Sequence, residues 1–319
     1  MTIQRISISQ FLAESHGHLV IDVRSPLEYQ HGHIPGAKNI ALFTDSERSI
    51  VGTLYKHRGK QTAILQGLQL VGPKLANFIK AVQSMTDKPS IFVYCARGGM
   101  RSSSFAWLLH TFGYQVFVLE SGYKAYRNFV LQQFCKSLRL IVLSGKTGTG
   151  KTQLLHRYHA QGQQVIDLEG LACHKGSVFG GIGQQIMTQE QFENNLGLQI
   201  ASLDSNIDTW IEDESRHIGK IMIPAGLWHQ MRLAPIHMLE KSVSERIAFL
   251  LDEYQHCSNL ALKNAVQGLS KHMGLERCLK AQQLLDDNKR YEFCAVLLEH
   301  YDRLYDFSFK KRIDIKFNT

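Results

Sequence analysis

At 319 residues the chain exceeds the usual span of one domain, and 44% hydrophobic with 20% charged residues is the composition of a globular protein, not a disordered or fibrous one. Its 36 Lys and Arg against 28 Asp and Glu leave a formal charge of +8, which suits a polyanionic partner or phosphate-bearing substrates without requiring either. The six cysteines (Cys95, Cys135, Cys173, Cys257, Cys278, Cys294) form no CxxC pair, which argues against a zinc knuckle and against a small disulfide framework.

The first residues, MTIQRISISQFLAESHGH, lack the basic-then-apolar pattern of a secretory signal. No apolar run approaches the roughly 20 residues that cross a bilayer, so a cytoplasmic protein with no membrane partner is expected. Short apolar runs then alternate with helical patterns: HLVIDVR at 18–24, PKLANFIKAVQSM, SIFVYC at 90–95, SSFAWLLHTFG, and QVFVLE at 115–120. Strands separated by helices predict a parallel α/β sheet. The polar helical stretch YRNFVLQQFCKS reads as a connector, which places domains at 1–135 and 136–319. A second α/β block opens at LRLIVLSG (138–145), and beyond about residue 236 the strand signals fade. There SVSERIAFLLDEYQ and LKAQQLLDDNKRYEFCAVLLEHYDRLYDF have the 3.6-residue period of amphipathic helices, a helical C-terminal extension.

Cys95 ends the strand-like run IFVY and is followed by ARGGMRSSSFAWLL, a flexible loop that becomes a helix. Backbone amides, a helix N-terminus and the cations Arg97 and Arg101 would favour the thiolate over the thiol, so Cys95 is the expected nucleophile with Arg97 and Arg101 as its catalytic partners. Gly98 and Gly99 permit the tight turn, and Ser102 and Ser103 are expected to cap the helix. The other five cysteines lie in apolar or helical surroundings and read as structural.

GKTGTGKT at 145–152 fits G-x-x-x-x-G-K-[ST] and has the required context, the strand LRLIVLS before it and the helical TQLLHRYHAQG after it. Gly145, Lys146, Thr147, Gly148, Thr149 and Gly150 are expected to cradle a diphosphate, with Lys151 on its outer oxygens and Thr152 able to hold Mg²⁺. The acid that would accompany Thr152 stays open between Asp167 and the Glu212, Asp213 and Glu214 of WIEDE; no defensible base-recognition motif for guanine or adenine accompanies the loop.

The segments IDVRSPLEYQHGHIPGAKNI at 21–40, CARGGMRS, and ESGYKAYR at 120–127 resemble the successive signatures of rhodanese sulfurtransferase domains. That resemblance implies structural roles for Asp22, Arg24, Glu28 and His33 and a chalcogen-carrying role for the loop cysteine. Five residues separate Cys95 from Arg101, a longer loop than in thiosulfate-cleaving rhodaneses and similar to dual-specificity phosphatases, although Tyr94 stands where those usually have His. A wider loop would accept a tetrahedral phosphorus oxyanion, with Arg101 on its oxygens. With the phosphate loop downstream, and DLEGLACHKGSVFG at 167–180 and IEDESRHIG at 211–219, the chain resembles the tRNA 2-selenouridine synthases from roughly residue 5 to 300.

The resemblance implies a rhodanese-like domain followed by a P-loop NTPase-like α/β domain. It further implies replacement of sulfur by selenium in wobble 2-thiouridine of tRNA through an S-geranyl intermediate, with geranyl diphosphate and selenophosphate as substrates. No tightly bound cofactor and no resident metal are expected, and a monomer served by a separate selenophosphate source is the expected state. An apolar pocket for the geranyl tail has Phe179, Ile182, Leu227 and Trp228 as candidates, and the basic KKR at 310–312 reads as a solvated tail. The alternatives are a sulfurtransferase coupled to an NTPase, a nucleotide-gated RNA-binding module, and a phosphatase. HIPGA and ESGYKAYR argue against the last, and the intact Cys95 and Arg101 against the second.

Overall fold

The computed structural model of the chain describes residues 3–173 and 187–317. It resolves into two compact units, Met1–Gln133 with Glu193–Leu198, and Phe134–Phe192 with Gln199–Thr319.

In the first unit β1 (Ile3–Ile6), β2 (Leu19–Asp22), β3 (Lys38–Asn39), β4 (Ser90–Tyr94) and β5 (Gln115–Leu119) form one parallel sheet in the order β1-β5-β4-β2-β3. The helices are α1 (Ile8–Glu14), α2 (Pro26–His31), α3 (Asp45–Arg58), α4 (Lys60–Val71), α5 (Leu75–Gln83), α6 (Met100–Thr111) and α7 (Gly122–Gln133). Capping boxes start three of them, Ser7 with Gln10, Ser25 with Glu28 and Thr44 with Glu47, each pairing an otherwise unsatisfied backbone N–H at both ends of the motif. β4 lies between β5 and β2, so its residues Ile91 to Tyr94 are buried on both faces and read as a continuous apolar run. That burial fixes the strand, and the strand fixes where Cys95 emerges.

The helices α3 and α4 occupy residues 45–71, where the sequence shows no apolar stripe; they bury little beyond Ala63 and Gly67, so periodicity had nothing to report. α7 is more than the expected connector, because Tyr123, Tyr126 and Val130 are buried within the first unit.

In the second unit the strands are β6 (Arg139–Ser144), β7 (Gln164–Ile166), β8 (Asp208–Glu212), β9 (His217–Ile218), β10 (Ile221–Met222) and β11 (Ile236–Met238). Four of them make a parallel sheet in the order β11-β6-β8-β7, and β9 with β10 makes a short antiparallel pair. α8 (Lys151–Ala160) leaves β6, and the chain returns at β7, two places away, so β8 is the immediate neighbour of β6 on that side.

α9 (Leu168–Ala172), α10 (Gln189–Ser202), whose Glu193–Leu198 stretch groups with the first unit, and α11 (Ala225–Leu233) come next in the chain. After β11 the chain is helical: α12 (Val243–Glu253), α13 (Asn259–Gly268), α14 (Ser270–Met273), α15 (Leu275–Asp286) and α16 (Arg290–Phe317). Ile247, Leu250, Val266, Cys278, Leu285 and Leu297 close a separate core there, the buried stripe that the 3.6-residue pattern predicts. The architecture is thus the expected α/β one, a parallel-sheet unit, then a second with a helical C-terminal region. No described helix is long and apolar enough to cross a membrane.

Candidate active site

Cys95 follows β4 directly and is 3% exposed. The loop after it is shaped from behind by the turn that follows β5. Tyr123 N–H donates to Cys95 O at 2.8 Å and Lys124 N–H to Ala96 O at 3.0 Å. Gly122, at φ +56°, fits so closely that an added Cβ would lie 2.1 Å from Cys95 O and 2.6 Å from Gly98 N. Gly98, at φ +62°, is confined as well, since an added Cβ would lie 2.8 Å from Ser121 N. Two glycines therefore let two loops interlock, which no residue with a Cβ would allow. From a third side Arg5 donates to Gly98 O at 3.0 Å and to Ser103 Oγ at 2.6 Å.

The serines do not cap α6 as expected. Gly99 holds the N-cap position without a side-chain bond, and the hydroxyls of Ser102 and Ser103 both donate to Gly99 O at 3.1 Å. Ser102, fully buried, also lies 3.1 Å from Cys95 Sγ, making it the polar neighbour of the sulfur. Among the described residues, no acceptor is found for the backbone N–H groups of Ala96, Arg97, Gly98 and Gly99.

Arg97 is exposed. Arg101 is held in a forked pair by Glu28, with Nη1 at 2.7 Å from Oε2 and Nη2 at 3.3 Å from Oε1. Burial works to raise the Glu28 carboxyl, but Arg101 beside it prevails and holds it below its usual value, aided by the Ser25 amide and by Arg48. The other residues to which the rhodanese resemblance assigns structural roles are held in packing and ion-pair contacts. Asp22 and Arg24 form a buried fork, with Arg24 3.7 Å above the Tyr123 ring, and His33 stacks on Tyr29 at 3.9 Å.

In the second unit Gly145 to Thr152 join the end of β6 to α8. Gly145, Gly148 and Gly150 all have positive φ, and a Cβ on Gly145 would lie 2.6 Å from Leu239 O. Lys151 Nζ donates to Gly145 O at 2.8 Å, folding the lysine over its own loop. Two carboxylates accept from Thr152 Oγ1, Glu212 and, at 3.3 Å, Glu169. β8 is adjacent to β6 in register Leu143 to Glu212, so Glu212 ends its strand beside the loop and accepts from Thr152 Oγ1 at 2.9 Å. Asp167 instead caps α9 through Gly170 N, and Asp213 accepts from Ser144 Oγ. Burial first, then the charges of Glu169 and Asp167, push the Glu212 carboxyl up to about 8. Burial and Glu169 likewise raise Glu214 well above its usual value, with Lys151 opposing. Among the described residues no group of three metal-ligating side chains forms.

The loop floors a cleft of about 1020 Å³. One side carries Thr152, Asp167, Glu169, Asp213 and Glu214. The rest of the lining is mainly aromatic and aliphatic but carries two acids: Phe249, Leu250, Asp252, Glu253 and Tyr254 around the end of α12, and Tyr301, Leu304 and Tyr305 of α16. Sequence reasoning missed this wall. Leu227 is buried in packing on α11, Trp228 on the same helix faces Arg232, and neither lines the cleft; Phe179 and Ile182 lie outside the described residues.

The same helices hold the loop from outside. Arg246 donates to Thr147 O at 2.7 Å and forks onto Asp302, while Lys146 pairs with Asp306 at 3.0 Å. Tyr305 Oη meets Ser144 Oγ at 2.8 Å. These partners stand 99 to 161 positions from the motif, and no local signal marks them.

A rhodanese-like domain family model matches residues 8–129, and one described as the tRNA 2-selenouridine synthase AAA domain matches residues 138–317. A tRNA 2-selenouridine synthase of Shewanella loihica is 32% identical over 93% of this chain and 89% of its own length. One from Cupriavidus pinatubonensis is 33% identical over 93% and 90%. A third, from Bdellovibrio bacteriovorus, is 39% identical over 74% of this chain and 64% of its own. With both loops in place and both halves matched, the chain belongs to the tRNA 2-selenouridine synthase family.

Proposed function

We propose that the chain replaces sulfur by selenium at C2 of wobble 2-thiouridine in tRNA, in the cytoplasm and as a monomer, using geranyl diphosphate and selenophosphate. The observation that carries this reading is the cleft of the second unit. A phosphate loop there shares its cleft with the large apolar surface of Phe249, Leu250, Tyr301 and Leu304, which suits a prenyl tail, alongside the acids Asp252 and Glu253.

Geranyl diphosphate satisfies both sides of that cleft. Its diphosphate lies in the loop, with Lys151 and Lys146 exchanging Gly145 O and Asp306 for its oxygens. Its ten-carbon tail lies along Phe249, Leu250 and Tyr301. The thiouridine sulfur attacks C1 of the tail, the C1–O bond breaks with its electron pair going to diphosphate, and N3 loses its proton. Loop amides and lysines stabilise the charge that develops on the leaving diphosphate. Thr152 and Glu212 would be the residues to hold a magnesium ion, which would supply further neutralisation of the diphosphate charge.

Selenium of selenophosphate then attacks C2, geranylthiolate leaves, and water removes the phosphoryl group. Selenium is at the selenide level throughout, so no oxidant is required. The Cys95 loop of the first unit holds selenophosphate. The amides after Cys95 and the exposed Arg97 provide donors, and Arg101 exchanges the carboxylate oxygens of Glu28 for those of the oxyanion. Arg101→Ala should raise KM for selenophosphate at least tenfold; an unchanged KM removes Arg101 from that site.

Titration calorimetry tests the cleft directly. Wild-type protein should bind geranyl diphosphate more tightly than ATP or GTP, and Lys151→Ala should lose that binding. Tighter ATP or GTP binding with phosphate release, and no binding of geranyl diphosphate, would return the second unit to an NTPase.

A further inference from the structure

Between Arg48 and Thr86 the chain has six Lys and Arg and no Asp or Glu, so this stretch supplies most of the net charge of +8. Its distribution in the fold is uneven. Lys74 is engaged with Glu47. Lys56, Arg58 and Lys60, at the turn joining α3 to α4, are all exposed and make no ion pair among the described residues. Beside them Tyr55 is 61% exposed.

Local stability does not account for this turn. Lys56 and Arg58 in the last turn of α3 suit the helix dipole. Lys60, however, opens α4 behind Gly59, with no capping side chain and no acid in the first turn, a placement that works against the helix. An exposed tyrosine flanked by unpaired cations also gains nothing from the core. Such an arrangement, a point of local cost without a structural return, is the mark of a site selected for binding.

The position of the turn fits RNA. α3 begins beside the cysteine loop: Asp45 accepts from Leu27 N–H at 2.9 Å, and Arg48 lies 3.8 Å from the Glu28 that holds Arg101. Ten helical residues then carry the chain from Arg48 to Arg58, about 15 Å at 1.5 Å per residue. A nucleic-acid stem whose loop reaches Cys95 would pass along this helix.

We propose that the α3–α4 turn grips the anticodon arm of the tRNA substrate, with Lys56, Arg58 and Lys60 on backbone phosphates and Tyr55 stacked on an unpaired base. Each phosphate neutralised releases counterions, so the contacts make a definite contribution to the salt dependence of binding. The stacking contact contributes affinity without it.

The test is tRNA binding by the full chain across a salt series. The variant Lys56→Ala/Arg58→Ala/Lys60→Ala should bind at least tenfold more weakly and lower the slope of log K against log salt by roughly two to three. Tyr55→Ala should weaken binding several-fold and leave the slope unchanged. A charge-matched control on the second unit, Lys220→Ala/Arg277→Ala/Lys280→Ala, should change affinity by less than twofold. Geranyl diphosphate binding should persist in every variant, which keeps this result separate from the proposed reaction. Equal losses in the two triple variants, or an unchanged slope in the first, would overturn the assignment and leave the turn as a solvated basic surface.

Discussion

Gly122 shows how a single residue carries the cysteine site without chemistry of its own. A methyl group there would meet the Cys95 carbonyl at 2.1 Å, in a backbone region already unfavourable for side chains. Gly122→Ala should destabilise the first unit by about 2–3 kcal/mol or more and abolish selenium incorporation, while diphosphate binding by the second unit survives. A melting curve together with a binding measurement separates the two effects. Glu212 makes a prediction with a definite sign. Between the usual carboxylate range and about pH 8 the folded chain retains a proton on Glu212 that the unfolded chain has released. This group's contribution to stability therefore falls as pH rises through that window. Glu212→Gln should flatten the decline of melting temperature between pH 5.5 and 8.5; an unaltered slope would place the proton elsewhere. At this scale the sequence was legible where chemistry is contiguous, as in Cys95 to Arg101 and Gly145 to Thr152. It was not legible where partners meet across the fold. Glu28 stands 73 positions from Arg101, and Ser102 reaches Cys95 Sγ only because the helix begins at Met100 and not at the serines.

Among elements, the helical C-terminal region changes meaning once folded. Its amphipathic period announces helices and a buried stripe; of the residues that line the phosphate-loop cleft only Leu250 belongs to that stripe, with Phe249, Tyr254 and Tyr301 packed against it, and none belongs to a motif. Phe249 is the clearest of them, since a Cβ on Gly150 would lie 3.4 Å from its ring. Phe249→Ala should raise KM for geranyl diphosphate about tenfold or more, the loss expected for one large apolar contact, and leave the affinity for inorganic diphosphate unchanged. Equal losses for both ligands would mean that the substitution had disturbed the loop. The helices α3 and α4 were hidden from periodicity for the opposite reason, because they bury so little.

For the whole molecule, length and the two loop motifs were enough to anticipate two parallel-sheet units and their order, since a strand, a glycine-containing loop and a helix must follow one another for either anion site to form. The strand order could not be read, and it matters: the crossover that skips β8 is what sets Glu212 beside Thr152. The most direct measurement of the central claim is mass spectrometry of nucleosides from 2-thiouridine tRNA incubated with protein, geranyl diphosphate and selenophosphate. Wild type should yield 2-selenouridine, Cys95→Ala should stop at S-geranyl-2-thiouridine, and Lys151→Ala should leave 2-thiouridine untouched. Selenouridine formed by wild type without geranyl diphosphate, or formed undiminished by Lys151→Ala, would contradict the division of labour between the two loops.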